Sequence, residues 1–275
     1  MIRFFEFAFI SCLMLSIVGC RKKDFDIKNL NGNKIEVIGH GGMGHKLSVP
    51  MNSLKSFEKA IEAGVNGIEM DIQMTKDKKL VVFHDKDLGE ESTGEGIVYQ
   101  TNWLAIDALY YKNVSFSKQE ILSLSQLLSC LDYSSDLQFV LDIKTYDPNN
   151  SEEHIESYAT AIIEVIEEFD IENQVIVEFN RLELAKSLHE KKPSVRVFVY
   201  TGFEYAFDKA IELGLTGITS NYSSITQDQI DQAHEHNLQI ALFGTDSKSK
   251  NIEAIEMNPD FIQTDEVKHL VKVLN

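Results

Sequence analysis

The chain has 275 residues, 43 acidic against 26 basic side chains and a formal net charge of −17. This balance excludes nucleic acid as a partner and excludes electrostatic adhesion to anionic lipid, since both need basic patches. Three cysteines are present, Cys12, Cys20 and Cys130; the first two fall in or at the end of an apolar leader, so no intrachain disulfide is available to the folded part. Cys130 sits among Leu127, Leu128 and Leu131 and reads as a small core residue.

Residues Met1 to Gly19 carry one early charge pair, Arg3 and Glu6, then an apolar run from Phe7 to Val18. The run is too short to span a bilayer and reads as a secretory signal peptide. Its end, Ile17-Val18-Gly19-Cys20, resembles a bacterial lipobox, which implies a mature chain beginning at a lipidated Cys20 and an envelope location, anchored to the membrane by lipid; plain cleavage and an uncleaved anchor are the alternatives. Residues 20–34 are polar and read as the lipidated cysteine and a short tether.

From Ile35 no Pro/Gly/Ser-rich linker interrupts the chain, which predicts one α/β domain over 35–275. Nine strand-like runs follow: Glu36 to Gly39, Gly67 to Gln73, Leu80 to Phe83, Gln138 to Ile143, Val175 to Phe179, Val195 to Tyr200, Gly217 to Ser220, Gln239 to Phe243 and Phe261 to Thr264. Helical patterns separate them, such as the apolar stripe Ile155, Tyr158, Ala159, Ile162 and Ile166. Repeated β-α units without a glycine-rich nucleotide fingerprint predict a (β/α)8 TIM barrel with an insertion after the third strand. The runs exceed by one what such a barrel needs, and the sequence leaves open which lies outside.

Polar chemistry gathers where the early strands end: His40 after the first, Glu69 and Asp71 on the second, His84 after the third. Carboxyl ends of strands are where parallel α/β folds build active sites. Alternation of Ile68, Met70 and Ile72 with Glu69, Asp71 and Gln73 also fits a merely solvated face, but the coincidence of such groups at consecutive strand ends favours function. The long connection from Asp85 to Leu137 holds Ser92-Thr93-Gly94-Glu95-Gly96 and Trp103 and reads equally as a binding loop or a structural excursion. On the fourth strand Asp142 and Lys144, two apart, share a face with one another and point to the same mouth; an exposed ion pair is the plainer alternative. His154, His189, His234, His236 and His269 fall in helical or terminal stretches and read as surface residues.

These motifs resemble the glycerophosphodiester phosphodiesterase family, in which a strand ends His-Arg-Gly, a Glu-Asn-Thr loop opens a helix, and Glu-x-Asp, Thr-Lys-Asp-Gly and His-Asp follow. The chain carries His40-Gly41-Gly42, Met51-Asn52-Ser53, Glu69-Met70-Asp71, Thr75-Lys76-Asp77-Lys78 and His84-Asp85. Gly41 stands where the family has arginine and Met51 where it has glutamate. Leu141-Asp142-Ile143-Lys144 resembles the family's Glu-x-Lys strand with aspartate for glutamate. Val177-Glu178-Phe179-Asn180 takes the place of a strand ending Ser-Phe, Phe243-Gly244-Thr245-Asp246 that of Trp-Thr-Val-Asn, and Thr264-Asp265 matches the closing Thr-Asp.

Glu69, Asp71 and Asp142 offer only hard oxygen donors, which suits Mg²⁺ or Ca²⁺ and disfavours zinc. His40 and His84 are suited to divide acid and base work, because imidazole titrates near neutrality; which is which is left open. The resemblance implies attack by the substrate's own glycerol 2-hydroxyl to give a cyclic phosphate that water then opens to glycerol 3-phosphate, with release of an alcohol, Lys144 on the phosphate, and an insertion that shapes the alcohol side of the pocket. His45 and Lys46 are candidates for the charge that Gly41 lacks. Two alternatives stand beside this reading: a sibling barrel phosphodiesterase acting on lysophospholipid or sphingolipid headgroups, and a catalytically inactive binding lipoprotein.

Overall fold

Runs rich in Val, Ile and Phe, each bounded by polar or glycine-containing turns, form nine strands in a computed structural model that describes residues 25–45, 49–112, 114, 118–149 and 151–275. The expected leader and Cys20 lie outside the described residues, as does Lys46. The strands are β1 (Glu36–Gly39), β2 (Gly67–Met74), β3 (Leu80–Val82), β4 (Gln138–Ile143), β5 (Val175–Phe179), β6 (Arg196–Val199), β7 (Gly217–Asn221), β8 (Gln239–Thr245) and β9 (Phe261–Thr264). Helices alternate with them: α1 (Leu54–Glu62), α2 (Leu88–Glu91), α3 (Trp103–Ile106), α4 (Leu124–Cys130), α5 (Glu152–Phe169), α6 (Leu182–Lys191), α7 (Phe203–Leu213), α8 (Gln227–Glu235), α9 (Lys248–Glu256) and α10 (Val267–Leu274). No helix among the described residues is long and apolar enough to cross a membrane.

Eight strands close on themselves, because β1 pairs in parallel with both β2 and β9. The strand left outside is β3. The sequence left this choice open; β3 runs antiparallel on the upper part of β2, with Ile72 opposite Val82 and Met74 opposite Leu80. The turn between Met74 and Leu80 is too short for the crossover that a parallel return requires. His84 therefore comes back down to the mouth on a hairpin, and the insertion lies between the second and third strands of the barrel proper.

Inside the barrel, alternation places small layers of side chains one above another, as parallel barrels do. Ile38, Val140, Ile176, Phe198, Ala241 and Phe261 form an apolar plug, with the rings of Phe198 and Phe261 packed edge to face at 5.9 Å. The larger core lies between strands and helices; in α5 it takes Tyr158, Ala159, Ile162, Val165 and Ile166, an amphipathic stripe started by the Ser151 cap.

The insertion has a small core of its own. Val81 and Phe83 of the hairpin pack with Leu88, Val98, Ile106, Tyr111 and Ile121, while Leu80 and Val82 face the main core. On α4 the stripe is Leu124, Leu127 and Leu128, so Cys130 falls off it and is exposed, contrary to its expected core position. Of the five histidines expected at the surface only His236 is exposed; His234 is largely buried, its Nε2 3.0 Å from Asp260.

Residues 25–34, expected to be tether, are folded across the barrel floor. The backbone N–H groups of Leu30 and Asn31 donate to Asp260 Oδ1, Lys28 N–H to Asn258 Oδ1, and Gln239 Nε2 to Asn31 Oδ1. Asn29 adds a bond to the Pro259 carbonyl. A segment that closes so many backbone groups is part of the domain.

Candidate active site

At the opposite end, Glu69 and Asp71 of β2 and Asp142 of β4 present oxygens that all lie within 4.8 Å of one another. The register explains the convergence: Asp71 and Asp142 are paired across β2 and β4, and Glu69 lies one inward position lower. Glu69 and Asp71 are buried and Asp142 half-buried. Glu69 Oε2 accepts the Gly41 backbone N–H at 2.7 Å, and Asp71 Oδ2 accepts Asn52 Nδ2 at 2.6 Å. Asn52 returns the bond, its Oδ1 accepting the Asp71 N–H. This clamp needs Asn52 at a positive φ of 62°, a conformation that asparagine tolerates better than most residues.

Lys144 follows on the same face, its Nζ 2.9 Å from Asp71 Oδ1 and 2.6 Å from Asp142 Oδ2. It was expected on the phosphate; here it lies among the carboxylates. Burial works against its charge, but Asp71, Asp142 and Glu69 outweigh burial and hold the ammonium firmly protonated. Burial pushes the Glu69 carboxyl well up, with repulsion from Asp71 adding to it. Burial and then Asp71 also push Asp142 up, against the pull of Lys144. For Asp71 burial is outweighed by Lys144, His84 and His40, which hold its carboxyl low.

His40 leaves the top of β1 with Nδ1 2.7 Å from Asp265 Oδ1, just past β9, and its side chain 30% exposed. Burial lowers its pKa, but the Asp265 bond and the charges of Glu69, Asp265 and Asp71 more than reverse this, raising it to about 9. His84 is more open, 46% exposed, with Nδ1 2.8 Å from Asp85. Gln73 pins the hairpin end that carries it, donating from Nε2 to the carbonyls of Phe83 and Asp85 at 2.6 and 2.8 Å. In both histidines a carboxylate takes Nδ1 and leaves Nε2 for chemistry. The insertion touches this edge through Glu91 of α2, whose carboxyl burial pushes up, with Asp85 adding and His84 and His45 opposing.

The donor set fits a hard divalent cation. Three carboxylates converge, all donors are oxygen, and Asp71 Oδ1 is buried without a directed hydrogen bond, with the Lys144 ammonium 2.9 Å away. Across Glu69, Asp71, Asp142 and Asp265, carboxylates outnumber the two cations His40 and Lys144 among the described residues, a surplus that a divalent ion would balance.

The departures at Gly41 and Met51 turn out to be one feature. Gly41 has a φ of +51°, and a Cβ there would lie 2.5 Å from Met51 Cε and 2.8 Å from Met51 Cβ. Met51 thus occupies the space that a side chain at 41 would need.

All six expected site residues, His40, Glu69, Asp71, His84, Asp142 and Lys144, meet at this mouth. The sequence reading did not assign Asp265, Asn52 or Gln73 to it, nor Glu178, the buried β5 partner of Asp142, whose Oε1 accepts from Thr219 and Gln263. Asp265 and Asn52 carried a signal, since each stands in a motif quoted above; Gln73 shares the inward face of Glu69 and Asp71.

Residues 40–269 match the model of the Glycerophosphoryl diester phosphodiesterase family. A glycerophosphodiester phosphodiesterase of Caldanaerobacter subterraneus subsp. tengcongensis is 25% identical over 247 residues, 88% of this chain and 98% of that protein. One from Bacillus altitudinis is 29% identical over 162 residues, 58% of this chain and 64% of its own length. Among solved structures, a glycerophosphodiester phosphodiesterase from Parabacteroides distasonis superposes with a TM-score of 0.75 at 22% identity, covering 88% of this chain and 97% of the other. An Oleispira antarctica phosphodiesterase, solved with the product sn-glycerol-3-phosphate, gives a TM-score of 0.76 at 18% identity, with the same coverage. At these identities the structural likeness establishes the barrel fold, and the family match covers most of the chain. The protein is thus a member of the glycerophosphoryl diester phosphodiesterase family, a group of phosphoric diester hydrolases.

Proposed function

We propose that the protein hydrolyses glycerophosphodiesters to sn-glycerol 3-phosphate and an alcohol, in a metal-dependent reaction with His40 and His84 as the acid-base pair. The observation that carries this reading is the carboxylate trio within 4.8 Å, flanked by two histidines whose Nδ1 atoms are held by carboxylates. Glu69, Asp71 and Asp142 would hold Mg²⁺ or Ca²⁺, which when bound supplies Lewis-acid stabilisation of phosphoryl charge and eases deprotonation of a nearby hydroxyl.

His40, its pKa raised to about 9, carries a proton at neutral pH and is assigned as the general acid that protonates the leaving alkoxide from Nε2. His84, on the hairpin side, takes the proton of the attacking glycerol 2-hydroxyl; the phosphorus–alkoxide bond breaks, and water then opens the cyclic phosphate so formed to glycerol 3-phosphate, with the two histidines exchanging acid and base roles. Lys144 neutralises Asp71 and Asp142 before substrate enters and shifts part of that charge toward the phosphate afterwards. The secretory leader and the lipid on Cys20 are proposed on the sequence alone; the mass of the mature amino-terminal peptide tests them.

The experiment is glycerol 3-phosphate release from a glycerophosphodiester by purified protein with Mg²⁺, Ca²⁺ or EDTA. Release should need the metal, and His40→Ala and His84→Ala should each slow it by about 10²- to 10⁴-fold, the usual worth of a positioned acid or base. Release that EDTA leaves intact, or that survives both substitutions, sinks the assignment.

A further inference from the structure

The turn that leaves β1 has a histidine at each end, His40 and His45. Between them Gly41, Gly42 and Gly44 bring no side chain, and Met43 is buried. This turn is fixed on three sides. Gly44 N–H donates to the His40 carbonyl at 3.0 Å. Met43 N–H donates to Ser56 Oγ of α1 at 2.9 Å, and Ser56 Oγ donates in turn to the Gly41 carbonyl. Gly44, at a φ of +70°, lies so close to the residue that holds His40 that a Cβ there would meet Asp265 Cα at 2.4 Å. The position of residue 45 is thereby set by β1, α1 and the end of β9 together.

His45 is exposed at the rim of the mouth. Its ring centroid lies 6.1 Å from that of His40, with the two planes at 79°. It also stands near enough to α2 for its charge to oppose the upward push on the Glu91 carboxyl, as that of His84 does. A phosphodiester is an anion, and Glu69, Asp71, Asp142 and Asp265 all bring negative charge to this mouth. The donors below the rim are already engaged: Lys144 Nζ is shared between Asp71 and Asp142, and His40 and His84 each give Nδ1 to a carboxylate. A phosphate whose leaving oxygen lies at His40 Nε2 comes within reach of the neighbouring ring, because two N–H bonds of about 2.8 Å to one tetrahedral group span such a separation. Imidazole presents one N–H in either neutral tautomer and two when protonated, so His45 has a donor to offer in every protonation state.

Resting on the hydrolase reading above, we propose that His45 is a phosphate-binding residue, donating a hydrogen bond from the rim to a non-bridging oxygen of the substrate. Proton transfer stays with His40 and His84; His45 secures the group on which they act. The contact is made in substrate and transition state alike, and a uniform contact of this kind, when lost, raises KM and leaves kcat near its former value.

The test measures kcat and KM on a glycerophosphodiester with Mg²⁺ for purified wild type, His45→Ala, His45→Arg and Lys46→Ala. His45→Ala should raise KM by roughly 10- to 100-fold, the worth of one hydrogen bond to a charged group. Its kcat should stay within about threefold of wild type, and the rise in thermal midpoint that Mg²⁺ gives should be unchanged. Inhibition by the product sn-glycerol 3-phosphate should weaken in step with KM. His45→Arg should recover most of both, since a guanidinium offers donors from the same position. A KM and product inhibition within about twofold of wild type in His45→Ala would overturn the proposal, as would a loss confined to kcat, a loss that arginine does not recover, or one found in Lys46→Ala instead. If wild type releases nothing from the substrate, the hydrolase reading fails and calorimetry with sn-glycerol 3-phosphate decides this one. Binding that His45→Ala weakens and His45→Arg restores supports it; binding that is absent or indifferent to residue 45 overturns it.

Discussion

At the floor of the barrel Glu36, Gln138, Arg196 and Gln239 point inward; at the mouth Glu69, Asp71, Asp142, His40 and Lys144 do. Both ends bury ionisable groups, but the floor meets most of them with its own partners, Glu36 Oε2 being the exception, buried without a hydrogen bond among the described residues. Arg196 donates to Gln138, and its charge partly offsets the burial that pushes Glu36 up. Asp260 is fully buried and takes bonds from Leu30, Asn31, Ile240 and His234. The mouth is left with more carboxylates than cations, two of them held above their ordinary pKa values. Buried charge without compensation is costly, so it persists where something else brings the balance. The difference separates a structural end from a working one, as barrels of this architecture do.

Paired substitutions break the comparison most directly. Asp71→Ala should abolish measurable turnover, a fall of about 10³-fold or more, and erase the rise in thermal midpoint that Mg²⁺ gives wild type, since binding to the native state stabilises it by mass action. The fold should survive, because one member of a repelling trio is gone. Asp260→Ala should do the reverse: a stability loss of about 3–5 kcal/mol from donors left unpaired in a sealed site, with metal affinity and KM within about twofold of wild type. Denaturant unfolding beside metal titration checks both. Equal behaviour of the two variants would erase the distinction.

A smaller effect sharpens the electrostatics of the mouth. The folded pKa of His40, about 9, stands above its ordinary 6.5, so the stabilisation it brings is complete below pH 6.5 and lost as pH rises through about 9. Asp265→Asn removes the hydrogen-bonded charge that does most to raise it. In EDTA the stability gap between wild type and this variant should be widest near pH 6 and close by pH 10, and the alkaline limb of turnover should move to lower pH with about a tenfold loss in rate. A gap that is flat with pH would show that Asp265 does not hold the His40 proton.

Much of this was legible in one dimension. A period of two put Glu69 and Asp71 on one face and Asp142 with Lys144 on another, and parallel register then forced the faces together. What stayed hidden depended on pairing between distant strands. Asp265 reaches His40 across 225 positions, and Glu178 is given meaning by Thr219 and Gln263, which no local pattern joins to it. Which run lies outside the barrel stayed open because a strand's direction is set by the length of its turn, while its composition is the same either way. The polar segment 25–34 looked like tether because hydrogen bonding to a floor leaves no hydrophobic period behind.

The smallest effect concerns the loop at the rim. Gly41→Ala places a methyl against Met51 and forces alanine to a φ of +51°, so it should cost about 2–3 kcal/mol, of which the left-handed backbone accounts for roughly 1. Met51→Gly removes the side chain that a Cβ at 41 would strike, including its Cβ at 2.8 Å. In the double variant only the backbone penalty should persist, giving a coupling of about 1–2 kcal/mol between the two positions in a double-mutant cycle. Additive losses would mean that the two sites are independent, and that glycine at 41 is held by its backbone conformation alone. Strong coupling would mean that an arginine at 41 becomes admissible only after residue 51 gives way, so that either departure commits this chain to the other.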